Sequence, residues 1–347
     1  MILQDLNYEK LNELVLSLGE QSFRTGQIFR NLHNGKSISE MTDVSKKLKS
    51  ALLENYSDCA IEIIKELTSR DGTGKFLFKL TDGNVIEGVL MNYKYGNTLC
   101  VSTQVGCRMG CAFCASTING LVRNLTSGEI LSEVLVVNKT LGGDVLKRRI
   151  TNVVLMGSGE PLDNYDNVIN FLRLLSCKEG INISPRNVSL STCGIVPKMY
   201  ELSTEGLPVN LTISLHSPFD EERRKIMPVA NAYTIGEIIQ AADNYFKKTG
   251  RRYYFEYSLI SGVNDTDKCV RELQRLLSGK PCHVNLIRLN TVKEKKLIAT
   301  NDKNAEEFLN KLKKAGLSAT LRRRTGADID GACGQLRRRF IEGEKTD

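Results

Sequence analysis

No apolar stretch in the 347-residue chain approaches the roughly 18 residues of a membrane-spanning helix, which excludes a helical bilayer anchor. The opening Met1-Ile2-Leu3-Gln4-Asp5 has neither a basic start nor a small-residue cleavage site, so no secretory leader is read and a cytoplasmic protein is expected. Repeats at solenoid periods and low-complexity linkers are also missing. Charge of one sign is in short supply. The 48 Lys and Arg exceed the 40 Asp and Glu by only 8, a weak pull toward a polyanion such as RNA that many ordinary enzymes share. With 41% hydrophobic and 25% charged residues, wholesale disorder, a collagen-like chain and a coiled coil are excluded.

What is present is a change of pattern along the chain. The first fifty residues read helical, with Leu11, Leu14, Val15 and Leu18 at helical spacing, a second helix from near Arg24, and a third carrying Leu48, Leu52 and Leu53. Between about Ile61 and Ser102 the pattern turns to strands. Phe76–Leu80 and Val85–Leu90 flank Thr81-Asp82-Gly83-Asn84, a hairpin signal. Beyond Cys100, strand-like runs near Val153–Met156, Val188–Ser191, Val209–Leu215, Tyr253–Leu259, Val284–Leu289 and Ala319–Leu321 alternate with helical patterns. That alternation predicts an α/β fold with a parallel sheet, open or rolled into a barrel. Thr126 and Glu129 predict a capping box at the head of the first crossover helix.

Ten cysteines stand in the sequence, and in a reducing compartment they are not a disulfide framework. Cys59, Cys177 and Cys269 are most simply small core residues. Cys107, Cys111 and Cys114 form C-x3-C-x2-C directly after the strand-like Thr98–Thr103. A structural zinc site takes four ligands. An iron–sulfur cubane held by three cysteines leaves one iron open to a ligand with its own donors, and S-adenosylmethionine (SAM) offers an amino and a carboxylate group. The alternatives are zinc with Cys100 or Cys333 as fourth ligand, or three buried thiols. A second motif, Met156-Gly157-Ser158-Gly159-Glu160-Pro161, ends a strand-like run and is not a dinucleotide fingerprint. Ser191, Ser214-Leu215-His216 and Asn290 fall at or near strand ends, the edge where parallel α/β sheets collect ligands. Arg322–Arg324 and Arg337–Arg339 flank Cys333 and raise the odds of a phosphate-facing surface.

The C-x3-C-x-Phe-C motif resembles the radical SAM signature. With Cys100 through Thr117, Gly159-Glu160, Ser191-Thr192, Ser214-Leu215-His216 and Cys333-Gly334-Gln335-Leu336, the chain resembles the RlmN/Cfr family of radical SAM RNA adenine methyltransferases over nearly its whole length. The resemblance implies a partial (β/α)6 barrel over 97–347, a helical RNA-binding accessory domain over 1–60 and a β-hairpin extension over 61–96. It implies a [4Fe-4S] cluster on Cys107, Cys111 and Cys114, and SAM contacts from Gly159, Glu160, Ser191, Ser214, Leu215, His216 and Asn290. Two SAM molecules would serve each turnover. One methylates Cys333; the other yields the radical that activates that methyl group. An adenine ring carbon is too electron-poor to attack SAM directly, whereas a thiolate attacks readily.

By the same resemblance Glu87 accepts the ring proton, although by itself it reads as a solvent-facing strand carboxylate. Cys100 resolves the product through a transient disulfide with Cys333. The implied substrates are 23S rRNA and the adenine 3′ of the anticodon in certain tRNAs. An electron donor such as flavodoxin or ferredoxin and a monomeric state are also expected. Methylation at C2 is the expected branch. Arg288, in Ile287-Arg288-Leu289-Asn290-Thr291, departs from its usual Ile-Pro-x-Asn-Pro and is familiar from the C8 branch, whose members confer ribosomal antibiotic resistance. The reading from another class is a non-catalytic, zinc-stabilised RNA-binding module.

Overall fold

The computed structural model describes residues 2–57, 61–289, 297–329 and 343. Three amphipathic helices come first: α1 (Tyr8–Ser17), α2 (Phe23–His33) and α3 (Lys46–Leu53). The side chains of Asn7 and Ser45 accept backbone N–H bonds three residues on, which fixes where α1 and α3 start. Their apolar faces, among them Leu11, Val15, Ile28, Phe29, Leu32 and Leu52, share one continuous core with the rest of the chain.

Next comes an antiparallel run of β1 (Ile61–Thr68), β2 (Gly74–Leu80), β3 (Val85–Tyr93) and β4 (Gly96–Cys100), with the expected turn between β2 and β3. A small sheet of β5 (Gln104–Gly106) and β6 (Leu121–Asn124) brackets the cysteine loop. Parallel strands then alternate with helices: α4 (Ser127–Thr140), β7 (Ile150–Leu155), α5 (Tyr165–Leu175), β8 (Val188–Thr192), α6 (Val196–Leu202), β9 (Asn210–Ser214), α7 (Asp220–Ile226), α8 (Ile235–Thr249), β10 (Tyr253–Leu259), α9 (Asp267–Leu277), β11 (Cys282–Arg288), α10 (Asp302–Lys314) and β12 (Ala319–Leu321).

The ten-stranded sheet runs β1-β2-β3-β4-β7-β8-β9-β10-β11-β12, parallel from β4 onward. It is curled into a partial barrel. Five strand spacings separate β7 from β12, roughly 24 Å if the sheet were flat. Yet Arg322, just past β12, places its guanidinium 3.7 Å from the Met156 sulfur, just past β7. The capping box is present: Thr126 accepts from the Glu129 N–H, and the Glu129 carboxylate accepts from the Thr126 N–H. Asp5 adds a clamp. Its carboxylate accepts from the Gly128 N–H at 2.6 Å and the Ser127 hydroxyl at 3.0 Å, docking the N-terminal helices on the head of α4. Of the cysteines assigned to the core, Cys269 is buried, Cys177 is half-buried beside Glu179, and Cys59 lies outside the described residues.

Candidate active site

The cysteine loop leaves β5 and returns through β6. Gly106 stands at φ +82°, and a Cβ there would lie 2.0 Å from the Gly120 carbonyl oxygen, so glycine is what lets the arms close. The Cys107 N–H donates to the Gly120 carbonyl at 2.9 Å, and the Ala112 N–H donates to the Ile226 carbonyl at 2.9 Å. The Thr117 hydroxyl donates to the carbonyls of Cys111 and Cys114. The loop turns all three cysteines toward one cavity of about 1000 Å³, at the upper end of small-molecule sites. Among the described residues no disulfide joins two cysteines, and no three His, Cys, Asp or Glu side chains close on a single ion.

Burial pushes the Cys107 thiol up to about 12 and raises Cys111 as well. Burial therefore favours the neutral thiols, and a metal bound there would have to displace their protons. Ile226, Met227, Ile260 and Leu289 pack around Cys111, with Met109 and Phe113 beside them, as a water-excluding apolar wall. Three sulfurs from one loop, a dry wall and the buried Arg223 nearby fit an iron–sulfur cluster.

Gly159 stands at φ +110°. A Cβ there would lie 2.7 Å from the Cβ of Gln104 and 2.7 Å from the Thr103 Oγ1, so this glycine is required by packing against β5. The turn aims Glu160 at the cavity and fixes its carboxylate: one oxygen accepts from the Leu162 N–H at 3.0 Å, the other from the Cys193 N–H at 2.7 Å. Burial raises its pKa, against these bonds and those from the Thr192 and Cys193 side chains. A carboxylate so held retains lone pairs for a cationic amino group, and the residues fit SAM on that ground.

Ser191, Ser214 and His216 line the same cavity. His216 stands at φ +54°, is buried, and accepts the Ser258 N–H on Nδ1 at 2.9 Å, which leaves the ring proton on Nε2. Burial pushes its pKa down to about 3, and Phe113 meets its ring edge-on at 4.7 Å. The Leu215 side chain is fully buried in the main core and does not line the cavity, which leaves its backbone as the part that could meet a ligand. Alternation along β9 explains this, since it sends neighbours of Ser214 to the opposite face.

Cys100, the last residue of β4, lines the cavity opposite Val89 of β3. Val89, Met91 and Tyr93 line it too, and Glu87 shares their face of β3 one step deeper. Glu87 is not solvent-facing. It is 1% exposed, with Lys75 Nζ 3.5 Å from its Oε2, and the Ser102 hydroxyl donates to its backbone carbonyl. Asn290 and Cys333, and with them the arginines at 337–339, lie outside the described residues.

Sequence reasoning missed three members of this site. Cys193 lines the cavity and shares its S–H with Glu160. Arg223 is fully buried behind β8 and β9. Glu256, on β10, lines the cavity 3.4 Å from Arg322, with its other oxygen unpartnered among the described residues. The one available signal was position: Cys193 follows directly on the strand-end Thr192.

Residues 101–277 match the Radical SAM superfamily, and residues 1–57 match the ribosomal RNA large subunit methyltransferase N-terminal domain. A Clostridium perfringens (strain 13 / Type A) protein named "Probable dual-specificity RNA methyltransferase RlmN" is 53% identical over 343 residues, 98% of this chain and 97% of that protein. A protein of the same name from Lachnoclostridium phytofermentans is 48% identical over 340 residues, 97% of this chain and 94% of its own. In structure the chain is similar to a radical SAM methyltransferase from Sphaerobacter thermophilus, with a TM-score of 0.92 at 40% identity over 96% of this chain and 98% of that one.

Proposed function

The chain belongs to the RlmN family of radical SAM methyltransferases, and on that premise we propose that it methylates C2 of adenine in 23S rRNA and in certain tRNAs. The observation that carries this reading is the convergence of Cys107, Cys111, Cys114, Glu160 and Cys100 on one cavity. Cys107, Cys111 and Cys114 would hold a [4Fe-4S] cluster, and Glu160, Ser191, Ser214 and His216 would hold SAM. When bound, cluster and SAM supply the one-electron chemistry and the methyl group, with two SAM molecules used per turnover.

The chain's own residues supply the rest. Glu160 is fixed before any ligand arrives, so it orients an amino group without reorganising. The apolar wall around Cys111 keeps water from a reactive carbon centre. Glu87 is assigned to receive the adenine proton, with Lys75 Nζ 3.5 Å from its carboxylate. Cys333 carries the methyl group, and Cys100, already on the cavity wall, is assigned to release the product by attack on Cys333. A low-potential donor such as flavodoxin or ferredoxin, a monomeric state and a cytoplasmic setting complete the proposal.

Arg288 does not require the C8 branch. Its Nε lies 2.6 Å from Asp302 of α10, and its Nη1 donates to the Arg322 carbonyl at 3.1 Å, so it ties β11 to α10 and to the end of β12. Nucleoside mass spectrometry on unmodified rRNA, after anaerobic incubation with reconstituted protein, SAM and reductant, tests the reading. 2-Methyladenosine is expected; 8-methyladenosine, or no methylated adenosine, overturns it. Cys333→Ala should retain its iron and lose transfer to RNA, and Cys100→Ala should accumulate an RNA–protein crosslink.

A further inference from the structure

Arg223 sits on α7, a helix whose sequence Asp-Glu-Glu-Arg-Arg-Lys-Ile reads as a solvated charge run, yet it is 0% exposed. Its Nε donates to the Leu215 carbonyl at 3.1 Å, and its Nη2 donates to the carbonyls of Cys193 at 2.6 Å and Ser214 at 3.1 Å. Nη1 has no hydrogen-bond partner among the described residues. Asp220 acts on the guanidinium only at Coulombic range, as do Cys111 and Cys193 from the cavity side. A guanidinium does not give up its proton, so this is a permanent buried cation that has carbonyl acceptors but no ion-pair partner among the described residues. Such a charge is expensive unless an anion joins it.

The anion is supplied by the site itself. Three thiolates around a [4Fe-4S]2+ core carry net charge 2 − 3 = −1, and one added electron makes that −2. We propose that Arg223 is the fixed counter-charge of the iron–sulfur site, a positioning residue that favours the one-electron reduced state while its other N–H groups hold the β8 and β9 ends. This rests on the cluster reading given above. The electron comes from an external low-potential donor, dithionite in the experiment below. It adds to the cluster, and no bond at Arg223 forms or breaks.

The test is an anaerobic redox titration followed by electron paramagnetic resonance, on full-length reconstituted protein, Arg223→Met and Arg223→Lys. Iron content and circular dichroism are measured on each sample. Arg223→Met should shift the reduced-to-oxidised ratio at fixed potential at least tenfold toward oxidised, about 59 mV for a one-electron couple. Arg223→Lys, which keeps the charge but loses the three-carbonyl clamp, should stay within about threefold of the parent. Should Arg223→Met fold but fail to load iron while Arg223→Lys loads, the counter-charge is supported. Equal shifts in both variants, equal loss of iron in both, or an unmoved potential in Arg223→Met would overturn it. A parent protein that binds no cluster refutes the reading beneath it instead, so the two failures are distinguishable.

Discussion

In the antiparallel layer, the buried Lys75 ammonium and Glu87 carboxylate face each other at 3.5 Å, both essentially without exposure. At the barrel mouth, Arg223 and Glu160 are also buried, but among the described residues neither has an opposite charge at ion-pair distance; backbone groups hold them instead. The first arrangement holds both signs of charge within 3.5 Å. The second is complete only when charged partners enter, because backbone dipoles orient an ion without neutralising it. The strand layer therefore reads as scaffold with one reactive group held in reserve, and the mouth as a socket built around charges it does not itself supply.

The largest expected effect comes from breaking the buried Lys75–Glu87 pair. Lys75→Met leaves Glu87 buried with its cation removed and should destabilise the protein by about 3–5 kcal/mol, read from urea midpoints at neutral pH. Lys75→Met combined with Glu87→Leu should recover most of that loss, because an apolar pair of similar volume costs little there. If the single variant unfolds at the parent's urea concentration, the two regions do not differ in the way described.

Protonation sharpens the same contrast. His33 lies in the N-terminal helices, stacked on Phe29 and accepting the Ile181 N–H, while His216 lies in the barrel; burial pushes both down to about 3 from 6.5. Between those values the unfolded chain binds a proton that the folded chain does not. Stability therefore rises with pH across this window and is lost as pH falls from 6.5 toward 3, by about 1.4 kcal/mol per unit for each histidine. Gln at either position keeps an acceptor and removes the titration. His216→Gln and His33→Gln should each flatten the slope between pH 6 and pH 4 by about that amount. An unchanged slope in His216→Gln would mean that the barrel histidine already carries charge.

Much of this fold could be read from periodicity. Tyr253–Leu259 and Ala319–Leu321 are strands at the expected residues, and the Thr126–Glu129 capping box heads α4. α7 has a single apolar residue, Ile226, among seven, so its sequence reads as surface; the tertiary fold turns Arg223 inward, where carbonyls at the ends of β8 and β9 accept its hydrogens. β5 and β6 are three and four residues long, too short for alternation to register, and close packing at Gly106 holds them together. The site was legible where chemistry is packed into a local motif, as at 107–114 and 159–160. It was not legible where one residue is contributed by each of several strands, as with Cys193 and Glu256. Glu87 fell between these cases: its place between Val85 and Tyr93 says strand, and its burial beside the cross-strand Lys75 shows only in the fold.

A smaller effect belongs to the seam between the regions. Thr126→Ala removes the hydroxyl that accepts the Glu129 N–H at 3.2 Å, at a cost of about 1 kcal/mol. The Glu129 carboxylate keeps both 2.8 Å bonds from Arg123, so the helix head should hold and the cavity should keep its shape. Iron loading at the parent level, with a lowered melting temperature, is the expected result. Loss of iron would mean that the cap itself shapes the cysteine loop.

The smallest change is expected where intuition about buried acids predicts a large one. Burial raises the pKa of Glu256, whose Oε1 accepts from Asn285 at 3.1 Å and faces Arg322 at 3.4 Å, while Oε2 has no hydrogen-bond partner among the described residues. In Glu256→Gln the amide oxygen keeps the Asn285 bond, and the amide nitrogen replaces the atom that was bonded to nothing. What is lost is attraction to Arg322, whose side chain is 42% exposed and screened by water. The change in stability should therefore stay within about 0.5 kcal/mol at neutral pH, and in a direct urea comparison Lys75→Met should exceed it several-fold. A large loss in Glu256→Gln would make Arg322 and Glu256 a true pair. The barrel interior would then balance its own charge as the strand layer does, and the counter-charge assigned to Arg223 would stand alone.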